Sequence, residues 1–168
     1  MKVFGKKIKK KGKGIMYLSN GDRYEGDFRN DDYEGKGIYY YSSDDRYEGG
    51  WKNGKQEGKG IYYHKKIGNK YEGDWKNDKK EGKGIYYFHG SGDRYEGDWK
   101  NDKKEGKGIY YYHNGSRYEG DFKNDYLEGK GVKYFINGSR MIGDYSKDKP
   151  IGKHLILCNN GEVSSVNY

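Results

Sequence analysis

The stretch YEGDWKNDKKEGKGIYYF at 71–88 returns almost letter for letter as YEGDWKNDKKEGKGIYYY at 95–112. Self-similarity at a fixed period constrains the fold more tightly than any single motif, because each copy must bury its apolar side against its neighbours. The first half-unit, Tyr-x-Gly-x-aromatic, starts at Tyr24, Tyr47, Tyr71, Tyr95 and Tyr118 and decays to Met141-Ile-Gly-Asp-Tyr. The second, Gly-Lys-Gly-Ile, starts at Gly12, Gly35, Gly58, Gly82 and Gly106, becomes Gly-Lys-Gly-Val at Gly129, and decays to Gly152-Lys-His-Leu. The period is 23 or 24 residues; Tyr to the following Gly is always eleven, Gly to the next Tyr twelve or thirteen. The variable interval is rich in turn formers, as in His64-Lys-Lys-Ile-Gly-Asn-Lys, which places a tolerant loop between units.

Each half-unit reads as a short strand. In Tyr71-Glu-Gly-Asp-Trp75, alternation puts Tyr71, Gly73 and Trp75 on one face and Glu72 with Asp74 on the other. Ile85-Tyr-Tyr-Phe88 is β-branched and aromatic, as a pleated surface favours. Between them lies the polar, turn-prone Lys76-Asn-Asp-Lys-Lys-Glu81. No 3.6-residue apolar period appears, and Gly recurs too often for helix. A strand Gly weakens its strand unless something approaches its backbone closely. A large ring stands two residues beyond a Gly in every unit, so the expectation is a Trp or Phe laid across the Gly backbone of a neighbouring strand. Facing in the second strand stays open. Ile85 and Tyr87 share one face, yet the Gly pair has the opposite parity, so either both faces are partly covered or a bulge at Gly-Lys-Gly switches them.

Composition tests whether such a ladder can hold itself together. Hydrophobic residues make up 31% of the 168, and 29 are Gly, below the ~45–50% apolar content of ordinary soluble domains. The 21 Tyr, 5 Phe and 3 Trp argue for a folded chain with a thin core, since each ring buries ~150–250 Å². The expected architecture is all-β: an elongated single-layer antiparallel sheet of repeated β-hairpins, about 13 strands and roughly 60 Å long at ~4.8 Å per strand.

The net charge of +8 is unevenly placed. Residues 1–13 hold seven Lys and no acid, leaving 27 basic against 26 acidic residues in the rest. The organisation read from this is a basic N-terminal tail at 1–13, a repeat array at 14–157 and a cap or tail at 158–168. A nearly neutral array lacks the positive groove that should accompany base-stacking rings, so no nucleic acid is expected. Cys158 is the only cysteine, which with the absence of a signal peptide favours a reducing, cytoplasmic setting. Asn114-Gly-Ser and Asn137-Gly-Ser match the glycosylation sequon but read as hairpin turns.

The unit Tyr-Glu-Gly-Asp-Trp-Lys-Asn-x-x-x-x-Gly-Lys-Gly resembles the MORN (membrane occupation and recognition nexus) repeat, over roughly residues 12–157. The resemblance implies an elongated, twisted single-layer antiparallel sheet whose groove is lined by the repeated aromatics. It also implies scaffold use: partner peptides or helices seated in the groove, places in cytoskeletal and axonemal (ciliary) assemblies, end-to-end homodimers, and phosphoinositide binding. Met141, Tyr145 and His154 replace the usual types in the last unit.

Enzymatic signals are weak. Each Gly-Lys is followed by Gly, Gln, His or Lys rather than the Ser or Thr of a phosphate loop. His64, His89, His113 and His154 read as exposed loop or strand-end residues spaced too far apart to share a metal, so neither metal nor cofactor is expected. Asp31-Asp32 and Asp44-Asp45 read as solvated or capping pairs, and Cys158 as a buried hydrophobe. Two binding surfaces stand out. The row Tyr24, Phe28, Tyr47, Trp51, Tyr71, Trp75, Tyr95, Trp99, Tyr118 and Phe122 is part core and, because a single layer cannot hide one whole face, part partner-binding groove, with Arg46, Arg94 and Arg117 at its rim. The tail lysines Lys6, Lys7, Lys9, Lys10, Lys11 and Lys13 offer the alternative of a membrane-surface adaptor docking on anionic phospholipid. The apolar Leu155-Ile-Leu-Cys run, with Val163 and Val166, reads as a cap or a dimerisation edge.

Overall fold

The computed structural model describes residues 10–168. The first strands are β1 (Lys11–Tyr17), β2 (Arg23–Arg29), β3 (Asp32–Tyr40), β4 (Arg46–Lys52), β5 (Lys55–Tyr63), β6 (Lys70–Lys76) and β7 (Lys79–Phe88). There follow β8 (Asp93–Lys100), β9 (Lys103–Tyr111), β10 (Arg117–Lys123), β11 (Tyr126–Tyr134), β12 (Arg140–Ser146), β13 (Lys149–Leu157) and β14 (Val163–Asn167). All lie in one open antiparallel sheet in sequence order. The single layer of hairpins is as expected. The strand beyond the anticipated 13 is β14, in the segment read as cap or tail, and β1 begins at Lys11, inside the segment read as basic tail.

Within a unit the two strands meet in a two-residue turn. Asn77 and Asp78 both take positive φ, 48° and 66°, the conformation of the hairpin turn that matches strand twist. The same turn stitches the unit to its predecessor: the Asp78 N–H donates to the Gln56 carbonyl (3.2 Å), and the Asp78 carboxylate accepts from the Gln56 N–H (2.8 Å). Asp102 repeats this with Lys80, Asp125 with Lys104 and Asp148 with Leu127. Asp31, read as solvated or capping, does the same with Lys10. Hairpins and inter-unit junctions thus share one set of local hydrogen bonds.

The Gly-Lys-Gly segment forms a bulge. Gly73 pairs with Gly84 and Asp74 with Glu81, so Gly82 and Lys83 have no partner on β6. Asp74 fills the gap by accepting the Lys83 N–H at 3.0 Å. The bulge does not switch faces. Gly84 and Tyr86 lie opposite Gly73 and Tyr71, while Ile85 and Tyr87 lie opposite Glu72 and Lys70 on the other side of the sheet.

The core is a file of rings on one face. Gly backbone does seat rings, but the ring over the Gly pair is the Tyr that opens the unit, not the Trp or Phe. A Cβ on Gly73 would stand 2.5 Å from the Tyr71 hydroxyl and 2.6 Å from Gly84 Cα. The Tyr71 ring therefore occupies the space two side chains would need, and its hydroxyl donates to the Asp74 carbonyl at 3.0 Å. The indole stands edge-on to that phenol, 5.3 Å between centroids, and its Nε1 donates to the Gly60 carbonyl of the preceding unit at 3.2 Å. Tyr71 meets Trp99 of the next unit in the same way at 5.1 Å. Edge-to-face pairs are favourable beyond the area they bury.

Two further readings are corrected. His154 is fully buried, not exposed: it stands where other units have the second Gly, and its ring covers Gly143. Cys158 is half-buried and opens a turn, its carbonyl accepting from Gly161. The apolar run ahead of it is not sealed either, since Leu155 and Val163 remain 44% and 66% exposed.

Candidate functional site

The ten aromatics expected to line an open groove line the core instead, each between 0 and 7% exposed. The reason is side-chain reach. A phenol folded over two Gly is roofed by the second-strand rings, Tyr62, Tyr86 and Tyr110 among them, and by long polar stems. Lys80 is such a stem, its Nζ 4.8 Å from the Trp99 ring, 4.9 Å from Tyr86 and 5.5 Å from Tyr71. Burial pushes its ammonium below the usual lysine range, against the pull of Asp102 and Asp125. Burial likewise drives the phenols of Tyr47, Tyr71, Tyr95 and Tyr118 above their ordinary value, and those of Tyr41 and Tyr145 up to about 12. These rings carry the fold.

The open surface is the opposite face. There a trough of about 1920 Å³ crosses the strands from β1 to β10. Two cross-strand rows line it and a third flanks it. Down its middle Ile and Glu alternate: Ile15, Glu25, Ile38, Glu48, Ile61, Glu72 and onward to Glu119. On one side a cation and a tyrosine alternate, with Arg46 stacked on Tyr63 at 4.4 Å, Lys70 on Tyr87 at 4.4 Å, Arg94 on Tyr111 at 4.2 Å and Arg117 on Tyr134 at 3.9 Å. Arg46, Arg94 and Arg117 thus border a groove, on the face away from the indoles.

The other lining row is ionic. Lys59 reaches Asp74 at 2.7 Å, Lys83 reaches Asp98 at 2.6 Å, and Lys107 reaches Asp121 at 2.6 Å. Burial alone would push the Asp74 carboxyl up, but the Lys59 ammonium and the Lys83 N–H outweigh it and hold it below the usual carboxylate range. The cations of the tyrosine row pair with Glu two residues on, Arg23 with Glu25, Lys70 with Glu72 and Arg117 with Glu119. The trough is therefore crowded with charge yet close to neutral, with aliphatic side chains half-buried between the pairs.

Of the tail lysines, Lys6, Lys7 and Lys9 lie outside the described residues. Lys10 sits 5.5 Å over the Phe28 ring, and Lys11 and Lys13 belong to β1. Among the described residues no cluster of His, Cys, Asp and Glu could hold a metal ion, and no helix is long and apolar enough to cross a membrane. The trough residues escaped the sequence reading although their signal was present. Glu72, Ile85, Tyr87 and Lys83 recur as faithfully as the rings, and their parity alone did not say which face stays open.

Comparison with solved structures finds the same fold at low identity. The TCP domain of Drosophila melanogaster SAS-4, solved with a proline-rich motif of Ana2, matches with TM-score 0.61 at 15% identity, over 93% of this chain and 84% of that one. The TCP10 domain of Danio rerio CPAP matches with TM-score 0.60 at 11% identity, over 92% and 73%. No curated protein matches by sequence. The MORN repeat family model matches six times, at residues 6–23, 24–46, 47–66, 71–92, 95–117 and 118–140. With six matched segments spanning most of its length, and the five from residue 24 onward each a hairpin with a tyrosine ring seated over paired glycines, the chain belongs to the MORN repeat family.

Proposed function

We propose that this protein is a non-enzymatic scaffold that holds a segment of a partner protein in the trough between the tyrosine–cation row and the lysine–aspartate row. One observation carries the reading: the trough spans ten strands of one sheet, with Ile alternating with Glu down its middle and most of its charges already paired to one another. A neutral, amphipathic furrow suits a peptide, whose own backbone is polar and whose side chains alternate in character. It suits a row of phosphates poorly, since at Lys59, Lys83 and Lys107 an incoming anion would have to displace a carboxylate. The proline-rich motif held by the similarly folded SAS-4 domain supports a protein segment as the occupant. A place in a cytoskeletal or axonemal assembly is the setting that accords with the family.

The test uses photo-crosslinking residues in the full chain. A crosslinker at Ile61 or Ile85 should capture a discrete partner from the native source, identified by mass spectrometry, whereas one at Ile67 in an inter-unit loop should not. With the crosslinker at Ile109 instead, the double substitution Ile61→Lys with Ile85→Lys should abolish capture while leaving the fold intact. Equal capture from both positions would defeat the assignment. Sedimentation with liposomes that depends on residues 1–13 and ignores the Ile substitutions would favour the anionic-lipid reading instead.

A further inference from the structure

The kind of segment the trough takes is narrowed by the repeat itself. Because the trough runs across the strands, like side chains recur every second strand, about 9.6 Å apart at ~4.8 Å per strand. Ile38, Ile61, Ile85 and Ile109 form one such file, and Tyr40, Tyr63, Tyr87 and Tyr111 another. An occupant meeting each unit alike must repeat at nearly that distance. A polyproline II helix repeats every three residues in ~9.3 Å. An α-helical heptad covers ~10.5 Å and drifts by ~1 Å per unit. An extended strand returns to the same side every ~6.6–6.8 Å and falls out of step at once. Strands β2 to β10 are paired on both sides, leaving little ladder for a guest strand to join. A polyproline II backbone asks for none, and rows of aromatic rings are the platforms on which such segments dock.

Charge then sets register. Identical units offer identical seats, so a periodic guest would be free to slip by one unit. Among the described residues lining the trough, Lys59, Lys83 and Lys107 are paired with an Asp across the strand, and Lys13 stands opposite Asp27. Lys36 is opposite Gly50, and among the described residues its ammonium makes no ion pair, Asp27 accepting only its backbone N–H. The gap is built in, because a Cβ on Gly50 would collide with the Glu57 carbonyl.

We propose that the trough holds a proline-rich segment in the polyproline II conformation, one three-residue turn per repeat unit, with a carboxylate of that segment on Lys36. This rests on the partner-binding reading above. The span from β1 to β10, about 43 Å, takes about 14 residues at ~3.1 Å each.

Synthetic (Pro-Pro-Leu) repeats of two to five triplets, some with one Leu replaced by Glu at successive positions, are titrated into the full chain by fluorescence anisotropy. A heptad-repeat helical peptide of equal length is titrated beside them. Binding should tighten several-fold with each added triplet. One Glu position should be preferred by about fivefold. Lys36→Ala should erase that preference. Tighter binding of the heptad peptide, affinity indifferent to triplet number, or no triplet binding at all would overturn the polyproline assignment. A Glu preference that survives Lys36→Ala would overturn the register. If Ile61→Lys with Ile85→Lys also leaves partner capture intact, the partner-binding reading itself has failed, a result distinct from the others.

Discussion

The unit at 71–88 and the last one, at 141–157, solve the same packing problem from opposite sides. In the regular unit Tyr71 lies across Gly73 and Gly84. In the last, Met141 takes the tyrosine's place and His154 that of the second glycine, so the ring over Gly143 comes from the partner strand. The T-shaped file continues without a break: Tyr118 to Tyr145 at 5.0 Å, Tyr145 to His154 at 5.3 Å, His154 to Tyr168 at 5.1 Å. What the sheet requires is one flat ring at each such crossing of two strands, whichever strand supplies it. The substitution has a cost in polarity. Tyr71 donates its hydroxyl to a carbonyl, whereas both His154 nitrogens and the Tyr145 hydroxyl are buried without a hydrogen-bond partner. The open face changes as well: Ile142 takes the place held by Glu elsewhere and, with Leu155, turns the middle row aliphatic beyond the trough.

The largest effect that would break this contrast is alkaline unfolding. Phenols titrate near pH 10 in an unfolded chain, and burial raises those of the regular units well beyond that. A raised folded-state value leaves the contribution intact below pH ~10 and removes it as pH climbs toward the folded value. The array should therefore unfold cooperatively above pH ~10, with tyrosinate absorbance rising alongside loss of the β-sheet circular dichroism signal. Independent titration of the phenols in an intact sheet would deny that they are the core.

Next in size is deletion of a ring. Tyr95→Ala should cost about 3–5 kcal/mol in urea unfolding. His154→Ala should cost about 1–3 kcal/mol, because it also removes two unpaired buried nitrogens. Equal losses would mean that the last unit is as well satisfied as the others. The contrast sharpens in a double-mutant cycle. Met141→Tyr alone should destabilise by about 1–3 kcal/mol, since the new phenol meets the imidazole. Met141→Tyr with His154→Gly should restore the regular arrangement, giving a favourable coupling of about 1–3 kcal/mol. Additivity would show that the two residues do not share one space. Smallest of all is Lys83→Ala, expected to change stability by less than about 1 kcal/mol because its pair with Asp98 is largely exposed. A larger loss would mean that the trough helps to hold the sheet together.

Much of this architecture could be read from residues alone. The fixed eleven-residue interval from Tyr to Gly, with its Asn-Asp center, announced hairpins in sequence order. The coincidence of glycines with rings announced close backbone approach. A bulge at Gly82-Lys83-Gly84 is only one of two alternatives in the sequence, because the carboxylate that completes it, Asp74, sits nine residues before Lys83 in the chain. The His154 replacement was visible only as a departure. Its meaning needed Met141 across the strand, since one change compensates the other in space.

Period, strand content and the pairing of rings with bare backbone follow from the order of residues, because alternation and turn chemistry act between near neighbours along the chain. Which face closes and which stays open was decided only in three dimensions. A strand pattern defines two sides and labels neither. The choice turns on how far each side chain can fold back: a tyrosine ring reaches over two glycines and is roofed by the next file of rings, while Ile, Glu and Lys stand upright on the far side and leave a furrow between them.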